Sequence, residues 1–554
     1  MSLLERVTSF ESFSPERGRS PADFARRKLS FNPLPGTALV VEPVESIGAF
    51  QVSKSRRIVQ VALAVIYCLA SAGIVFGYAA LKPILVQEKV YRDFCTQDEL
   101  DQNVRVCFQQ EIHLNLMFTA AAVGTNMAAL PIGAILDNFG PRVCGVIGSI
   151  LLTTGALLFA FASQIPFDGY LFGYLFLALG GPFVYISSFH LSNAFPQHSG
   201  FILAMITGAF DSSSAIFLGY RFIYNSTDEG FDLKHFFLAY LIVPAAIFFI
   251  QMFIMPKQSY KSVGELVTEV EEASEPMADQ VDENTSLLWE ERYRRRESVV
   301  SEITELIGSK SGGKQMKQEE NKNKISGVWG AMHGKTAKQQ LLSPWWVLIT
   351  LFTVVQMTRI NFFVATIRPQ YEYLFHSYEK AVALNTFFDI ALPLGGLIAI
   401  PFIGVILDHT STVSVLSLLV TLATAIGILG ILPYSWAAYA NVTLFVLYRP
   451  FYYTAVSDYS AKVFGFRTFG TVYGCIICLA GLFNFSQSGL DALMHTVFHG
   501  NPVPVNLMLT SAALFIGSIL VVYVGVRSYY MKREILVEEA ENAQETLMPG
   551  ANIP

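Results

Sequence analysis

Charge is what this sequence has least of: Asp, Glu, Lys and Arg make up 15% of its 554 residues, against about 25% in a typical soluble domain. A chain so poor in charge cannot cover itself in water, and 52% of it is hydrophobic. There is no basic surplus to bind nucleic acid, since the net charge is -6. Six cysteines in a chain of this length exclude a disulfide-rich secreted scaffold. The nine histidines show no metal-like pairing. H-E-x-x-H, G-x-S-x-G and the phosphate-binding G-x-x-x-x-G-K-[ST] are missing, so neither an enzyme nor a cofactor or metal is expected. The first 57 residues (SPERGRSPADFARRKLS among them) hold no apolar run of signal-peptide length. The first hydrophobic segment is therefore read as a retained helix.

What the chain does have is long apolar runs, and a spanning helix takes about 20 residues. Such runs fall at 58–81, 112–135, 142–163, 170–192, 200–222 and 235–256, then at 345–367, 382–406, 411–432, 439–460, 469–490 and 505–527. This predicts an all-α membrane protein of 12 transmembrane helices in two six-helix halves, 58–256 and 345–527. Around them lie an N-terminal tail (1–57), a central loop (257–344) and a C-terminal tail (528–554). The tail at 1–57 and the loop, with its acidic block ELVTEVEEASEPMADQVDEN and basic RYRRRES, are expected to be mostly disordered. Most of the 38 Lys and Arg lie in these segments, which places both termini and the loop on the cytoplasmic side.

Cys68, Cys144, Cys475 and Cys478 sit in or at apolar runs and read as small packing residues. Cys95 and Cys107 share a non-cytoplasmic loop, where oxidation is permitted. A disulfide or two free thiols both remain open. Asn225, in Asn-Ser-Thr on the same side, is a glycosylation acceptor.

The two halves echo each other. LPIGAILDNFGPR ends the second run and IPFIGVILDHTST the eighth, so Gly133 and Asp137 correspond to Gly404 and Asp408. A weaker echo sets FVYISSFHLSNAF beside FYYTAVSDYSAKVF. Duplicated helical halves describe a secondary transporter with its site near the midplane between them.

LDNFGPR resembles the loop motif between the second and third helices of the major facilitator superfamily. More narrowly, GYAALKPILVQEKVYRDFC, QQEIHLNLMFT, GAFDSSSAIF, QMTRINFF, LYRPFYY and FGFRTFGTVYG resemble the system-L-type facilitative neutral amino-acid transporters and their fungal relatives. The resemblance implies the major facilitator fold and passive transport of neutral amino acids. The chain departs from the wider superfamily motif after Gly140-Pro141-Arg142, where no basic run continues, and the second-half copy lacks the basic residue.

Ionisable groups inside spans are costly and usually have a task or a partner. Arg359 near the middle of the seventh run is the first candidate for substrate contact, followed by Asp211 in the fifth and Arg449 in the tenth. An Arg offers a bidentate fork to a substrate carboxylate, while Asp211 and the hydroxyls of Ser212, Ser213 and Ser214 accept from its ammonium. The competing reading is a structural ion pair between Asp211 and an Arg. Tyr78 and Asn361 are further candidates, with packing or interhelical hydrogen bonding as the alternative, as for Asn126, His190, Asp389 and Asn484. Asp137, Arg142 and Asp408 are assigned to gating: an acid ending one helix and an Arg starting the next can hold one state and part in the other.

In the central loop, Glu283, Leu287 and Leu288 form an acidic dileucine motif of the kind read by sorting adaptors, and Ser298 follows a basic phosphorylation pattern. The sorting motif favours a vacuolar or endomembrane location, with the plasma membrane as the alternative. The resulting expectation is a monomeric facilitator in the lipid bilayer, moving branched-chain or aromatic amino acids by alternating access. The alternatives are another small solute (a different amino acid or an organic acid, proton-coupled through Asp211 or Asp389) and a non-transporting sensor or scaffold.

Overall fold

The computed structural model describes residues 47–48, 51–101, 106–227, 230–261 and 310–547. Apart from a two-residue parallel pairing of Ile47–Gly48 with Tyr260–Lys261, the described chain is helical. Most long helices start at a side-chain cap that satisfies an orphan N–H. Ser53, Asp168, Asp232, Ser343, Ser377 and Ser411 each accept from the backbone three residues on.

Helix α1 (Lys54–Ser71) bends by 40° at Gly73 into a short turn and α2 (Tyr78–Gln87). The freed Gly73 N–H donates to Ser213 Oγ at 2.8 Å, and a Cβ here would lie 2.7 Å from Phe210 O. Close approach explains this glycine. Helix α3 (Phe108–Ala160) is formally one element of 53 residues, broken at Gly140 with φ +81°. Cys144 Sγ lies 3.9 Å from Ile132 O, whereas 12 residues of straight helix would separate them by about 18 Å. The chain therefore reverses at Gly140-Pro141, and α3 is a hairpin of two arms.

Helices α4 (Gly169–Ile186), α5 (Ser199–Ser212), α6 (Ala215–Ser226), α7 (Leu233–Tyr240) and α8 (Ile242–Phe253) complete the first half of the chain. The fifth span runs on from α5 through α6 with a local irregularity at Ser213 and Ser214, whose hydroxyls bond back to the carbonyls of Phe210 and Asp211. After the central loop come α9 (Lys310–Ser326), α10 (Ala337–Leu341), α11 (Pro344–Phe375), α12 (Tyr378–His409) and α13 (Thr412–Leu429). Then follow α14 (Ser435–Phe464), α15 (Phe469–Phe483), α16 (Ser486–Thr496) and α17 (Val503–Leu547). Among the described residues, eight helices are long and apolar enough to cross a membrane, or nine counting the bent α1–α2 pair. Over the described end of the central loop, α9 and α10 are helices with tertiary contacts to the rest of the chain.

The two halves of the chain meet chiefly along α3 with α15 and α5 with α12. Both seams are lined with glycine, which lets backbones approach closely. Gly133 lies against the backbone of Gly470, Gly474 against Ala129, and Gly481 against Asn126. On the other seam Gly200 abuts Leu407, Gly404 abuts Phe201, and Gly396 abuts Asp211 and Ser212. Each seam runs from the Asp137 and Asp408 end to about the middle of the helices. The molecule is closed at that end.

Candidate functional site: a charge pair between the two halves and the locks beneath it

Asp211 on α5 and Arg449 on α14 come from opposite halves of the chain and meet with Oδ1 3.5 Å from Nη2. Their side chains are 2% and 14% exposed. Neither Asp211 oxygen accepts a hydrogen bond from the described residues. A buried carboxylate normally takes two or more such bonds, so this one has acceptor capacity to offer. Ser212 beside it donates to Pro393 O on α12 at 3.3 Å, again across the halves. Tyr185 packs on Phe210 at 4.6 Å, and the Tyr453 ring lies 6.0 Å from the Arg449 guanidinium. Below, Phe189 of the first half meets Phe469 and Tyr473 of the second at 5.7 and 5.6 Å. These rings pack across the two halves at the start of α15.

The repeated acids form two matching locks. Asp137 accepts the N–H groups of Gly470 and Thr471, at 2.8 and 2.7 Å, where α15 begins. Asp408 accepts those of Gly200 and Phe201, at 2.8 and 3.1 Å, where α5 begins. Each carboxylate sits on the positive end of a helix from the other half, a contact worth about 0.3–2 kcal/mol by dipole arguments alone. Asp137 and Arg142 are not paired with each other in this state of the molecule: Arg142 Nη2 donates to Met255 O, just past the end of α8.

Asp408 carries a further partner from the central loop. Lys322 Nζ on α9 lies 2.9 Å from Asp408 Oδ1 and also donates to Ser199 Oγ. Burial and the nearby Lys462 push the Lys322 ammonium below its ordinary pKa, partly offset by Asp408 and Asp458. Lys462 itself pairs with Asp458 at 2.5 Å. Beyond α9, Met332 N–H donates to Val463 O, and Gln340 reaches Phe464 O. The described end of the loop, around Met332 and Gln340, is thereby pinned to the end of α14.

The remaining candidates lie elsewhere. Arg359 lines a cavity built wholly from α11, α13, α14 and α17, so the structure does not bring it to Asp211. Tyr78 is buried, donates to Leu114 O at 2.6 Å and stacks on Phe118. Its aromatic face packs within the first half. Ser213 caps the break after α1, and Asn361 is half-buried. Asp389 is exposed and bonded to Asn385. At the opposite end from Asp137, Cys95 and Cys107 are joined by a disulfide, and Asn225 is exposed. Glu283, Leu287, Leu288 and Ser298 lie outside the described residues.

A family model described as Major Facilitator Superfamily matches residues 63–487, from α1 to the start of α16. The chain belongs to the Major Facilitator Superfamily. Like others of this superfamily it is an integral, multi-pass membrane protein of a transport family and not an enzyme. Protein FMP42 of Saccharomyces cerevisiae is 45% identical over 495 residues, covering 87% of this chain and 96% of the relative. The equilibrative nucleobase transporter 1 of Bos taurus is 23% identical over 488 residues, 83% of this chain and 94% of the relative. The large neutral amino acids transporter small subunit 3 of Homo sapiens is 32% identical over 184 residues, 31% of this chain and 32% of the relative. Among solved structures, the transporter FucP in an outward conformation shares the fold, with a TM-score of 0.50 at 12% identity. The match covers 86% of this chain and 99% of that one.

Within this major facilitator fold, sequence reasoning missed Lys322, Asp458 and Lys462. All three are at most 7% exposed. The signal for the last two was present: Asp458 and Lys462 are spaced i,i+4, as helix ion pairs are. Lys322 had no comparable signal, since it sits in a run of like Lys-rich sequence.

Proposed function

We propose that this protein moves neutral amino acids with branched or aromatic side chains across its membrane by alternating access. The observation that carries the reading is the Asp211–Arg449 pair, an acid and a base from opposite halves with both acid oxygens unsatisfied. An α-amino acid is a zwitterion of complementary charge: its ammonium would donate to Asp211 and its carboxylate would take the fork of Arg449. Ser212 adds a hydroxyl, and Tyr185, Phe210 and Tyr453 offer apolar surface to the side chain. Breaking a buried ion pair by removing one partner's compensation costs about 3–5 kcal/mol. A bound zwitterion supplies that compensation to both charges while the halves part.

The same proposal takes the membrane to be crossed twelve times. To the eight long apolar helices and the α1–α2 pair it adds the second arm of α3, the charge-bearing α14, and the α15–α16 pair. With the termini cytoplasmic, the two locks close the cytoplasmic side. Transport is read as passive, in a monomer resident in vacuolar or other endomembranes and sorted by an adaptor on Glu283, Leu287 and Leu288. The amino-acid name of the human relative and the nucleobase name of the bovine one support a small-solute cargo, and the zwitterion-matched charges favour the former. Uptake of labelled leucine and phenylalanine into proteoliposomes, with adenine as competitor and with or without an imposed pH gradient, is the test. Saturable amino-acid flux indifferent to adenine and to the gradient is expected. Flux of adenine alone, or none, would overturn the reading.

A further inference from the structure

Arg359 sits at the middle of α11 and reaches toward Gly427 on α13, where an added Cβ would lie 2.8 Å from its Nη2. It borders a cavity of about 30 Å³, room for one or two water-sized bodies. No described carboxylate pairs with this guanidinium. Around the same cavity are buried polar atoms with no hydrogen-bond partner: both amide atoms of Gln356, the hydroxyl of Tyr448 and the amide oxygen of Asn441. Thr510 on α17 completes the wall, its hydroxyl already bonded to Asn506 O.

Two physical requirements converge on this cavity. The Arg359 guanidinium is half-buried at the middle of α11 with no described carboxylate beside it, and a charge so placed favours a compensating anion. Buried donors such as the Gln356 amide and the Tyr448 hydroxyl need an acceptor. Every wall residue comes from the second half of the chain, so the cavity is separate from the Asp211–Arg449 seam. It is also small for a branched or aromatic amino acid.

We propose that the Arg359 cavity is a binding site for a small monovalent inorganic anion of halide type. Arg359 supplies the charge, and Gln356 and Tyr448 donate hydrogen bonds. The anion neutralises the core of the second half and holds α11 to α13 and α14. Because it stays within one half, it acts as a structural counter-ion through the transport cycle and is not carried.

The test uses full-length protein purified in detergent. Thermal stability is measured in sodium chloride, sodium bromide and sodium gluconate at constant ionic strength, which keeps general screening equal. A ligand that binds only the folded state raises the apparent Tm in a saturable way. Chloride and bromide are expected to raise Tm over gluconate by several degrees in the wild type. Tyr448→Phe should shift the midpoint to several-fold higher chloride, and Arg359→Gln should abolish the difference. The leucine-induced rise should survive in Tyr448→Phe. Retention of labelled chloride by the wild type and its loss in Arg359→Gln gives a direct second readout. Equal Tm in all three salts, with no retained chloride, would leave the cavity to water and overturn the proposal. If leucine displaced the labelled chloride in the wild type, the site would instead belong to the substrate's carboxylate, and the proposal would also fall.

Discussion

Asp211 and Arg449 hold opposite charges 3.5 Å apart where the two halves of the chain meet, and removing either should weaken substrate binding and also leave its partner's charge uncompensated. A charge-assisted hydrogen bond is worth about 1.5–3 kcal/mol, which is about 10–150-fold in affinity. Asp211→Asn and Arg449→Gln are each expected to raise the KM for leucine by that factor and, through the charge left unpaired, to lower abundance in the membrane. Uptake kinetics in proteoliposomes with matched protein content check this, and an unaltered KM in both variants would remove the pair from the site. The sequence singled out both residues but ranked Arg359 above them. Depth in the membrane was legible, whereas the direction in which each side chain leaves its helix was not. Arg359 and Arg449 lie at comparable depth, yet only one faces the other half.

Among the elements, the two glycine-lined seams and the helix that braces one of them set how far the halves can move. Asp137 and Asp408 each sit on the first turn of a helix from the opposite half. Replacing Asp137 by Asn keeps a hydrogen-bond acceptor and removes the charge that the helix end favours, at a cost of about 1 kcal/mol to the closed state. Faster amide hydrogen exchange at Gly470 and Thr471 is expected, with slower turnover and little change in leucine binding. Gly133→Val is a harsher perturbation, because its side chain would occupy the space of the Gly470 backbone. That variant should be held open at the Asp137 end, read out as exchange along α15 that substrate no longer suppresses. Lys322→Met should release α9 from Asp408 and Ser199, giving loss of exchange protection in 310–326 while α11–α17 stay protected. Protection of α9 equal to wild type would show that apolar contacts alone hold it.

At the level of the whole molecule, the pairing of charges across a moving seam predicts how loaded and empty protein should differ. When the halves part without substrate, Asp211 and Arg449 lose each other's compensation; with a zwitterion bound, each keeps a partner. The empty protein is therefore expected to reorient more slowly than the loaded one. Preloading vesicles with unlabelled leucine should accelerate entry of labelled leucine several-fold over empty vesicles. Equal rates would place the slow step elsewhere and remove the energetic argument for the pair.

Much of this architecture is written in the chain. Scarce charge and long apolar runs dictate helices in a bilayer, since only internally hydrogen-bonded segments survive there. The repeated Gly-x-Ile-Leu-Asp marks the two lock acids by its recurrence alone. Helix starts are signalled by local caps such as Ser343 followed by Pro344. Local rules reach only a few residues along the chain, so they cannot say what those acids hold. Asp137 meets Gly470 and Asp408 meets Gly200, contacts spanning more than 200 residues of sequence. Those contacts, the meeting of Asp211 with Arg449, the placement of Arg359 among second-half helices and the docking of Lys322 depend on the rotation of each helix and the way the halves pack. Only the tertiary structure decided them.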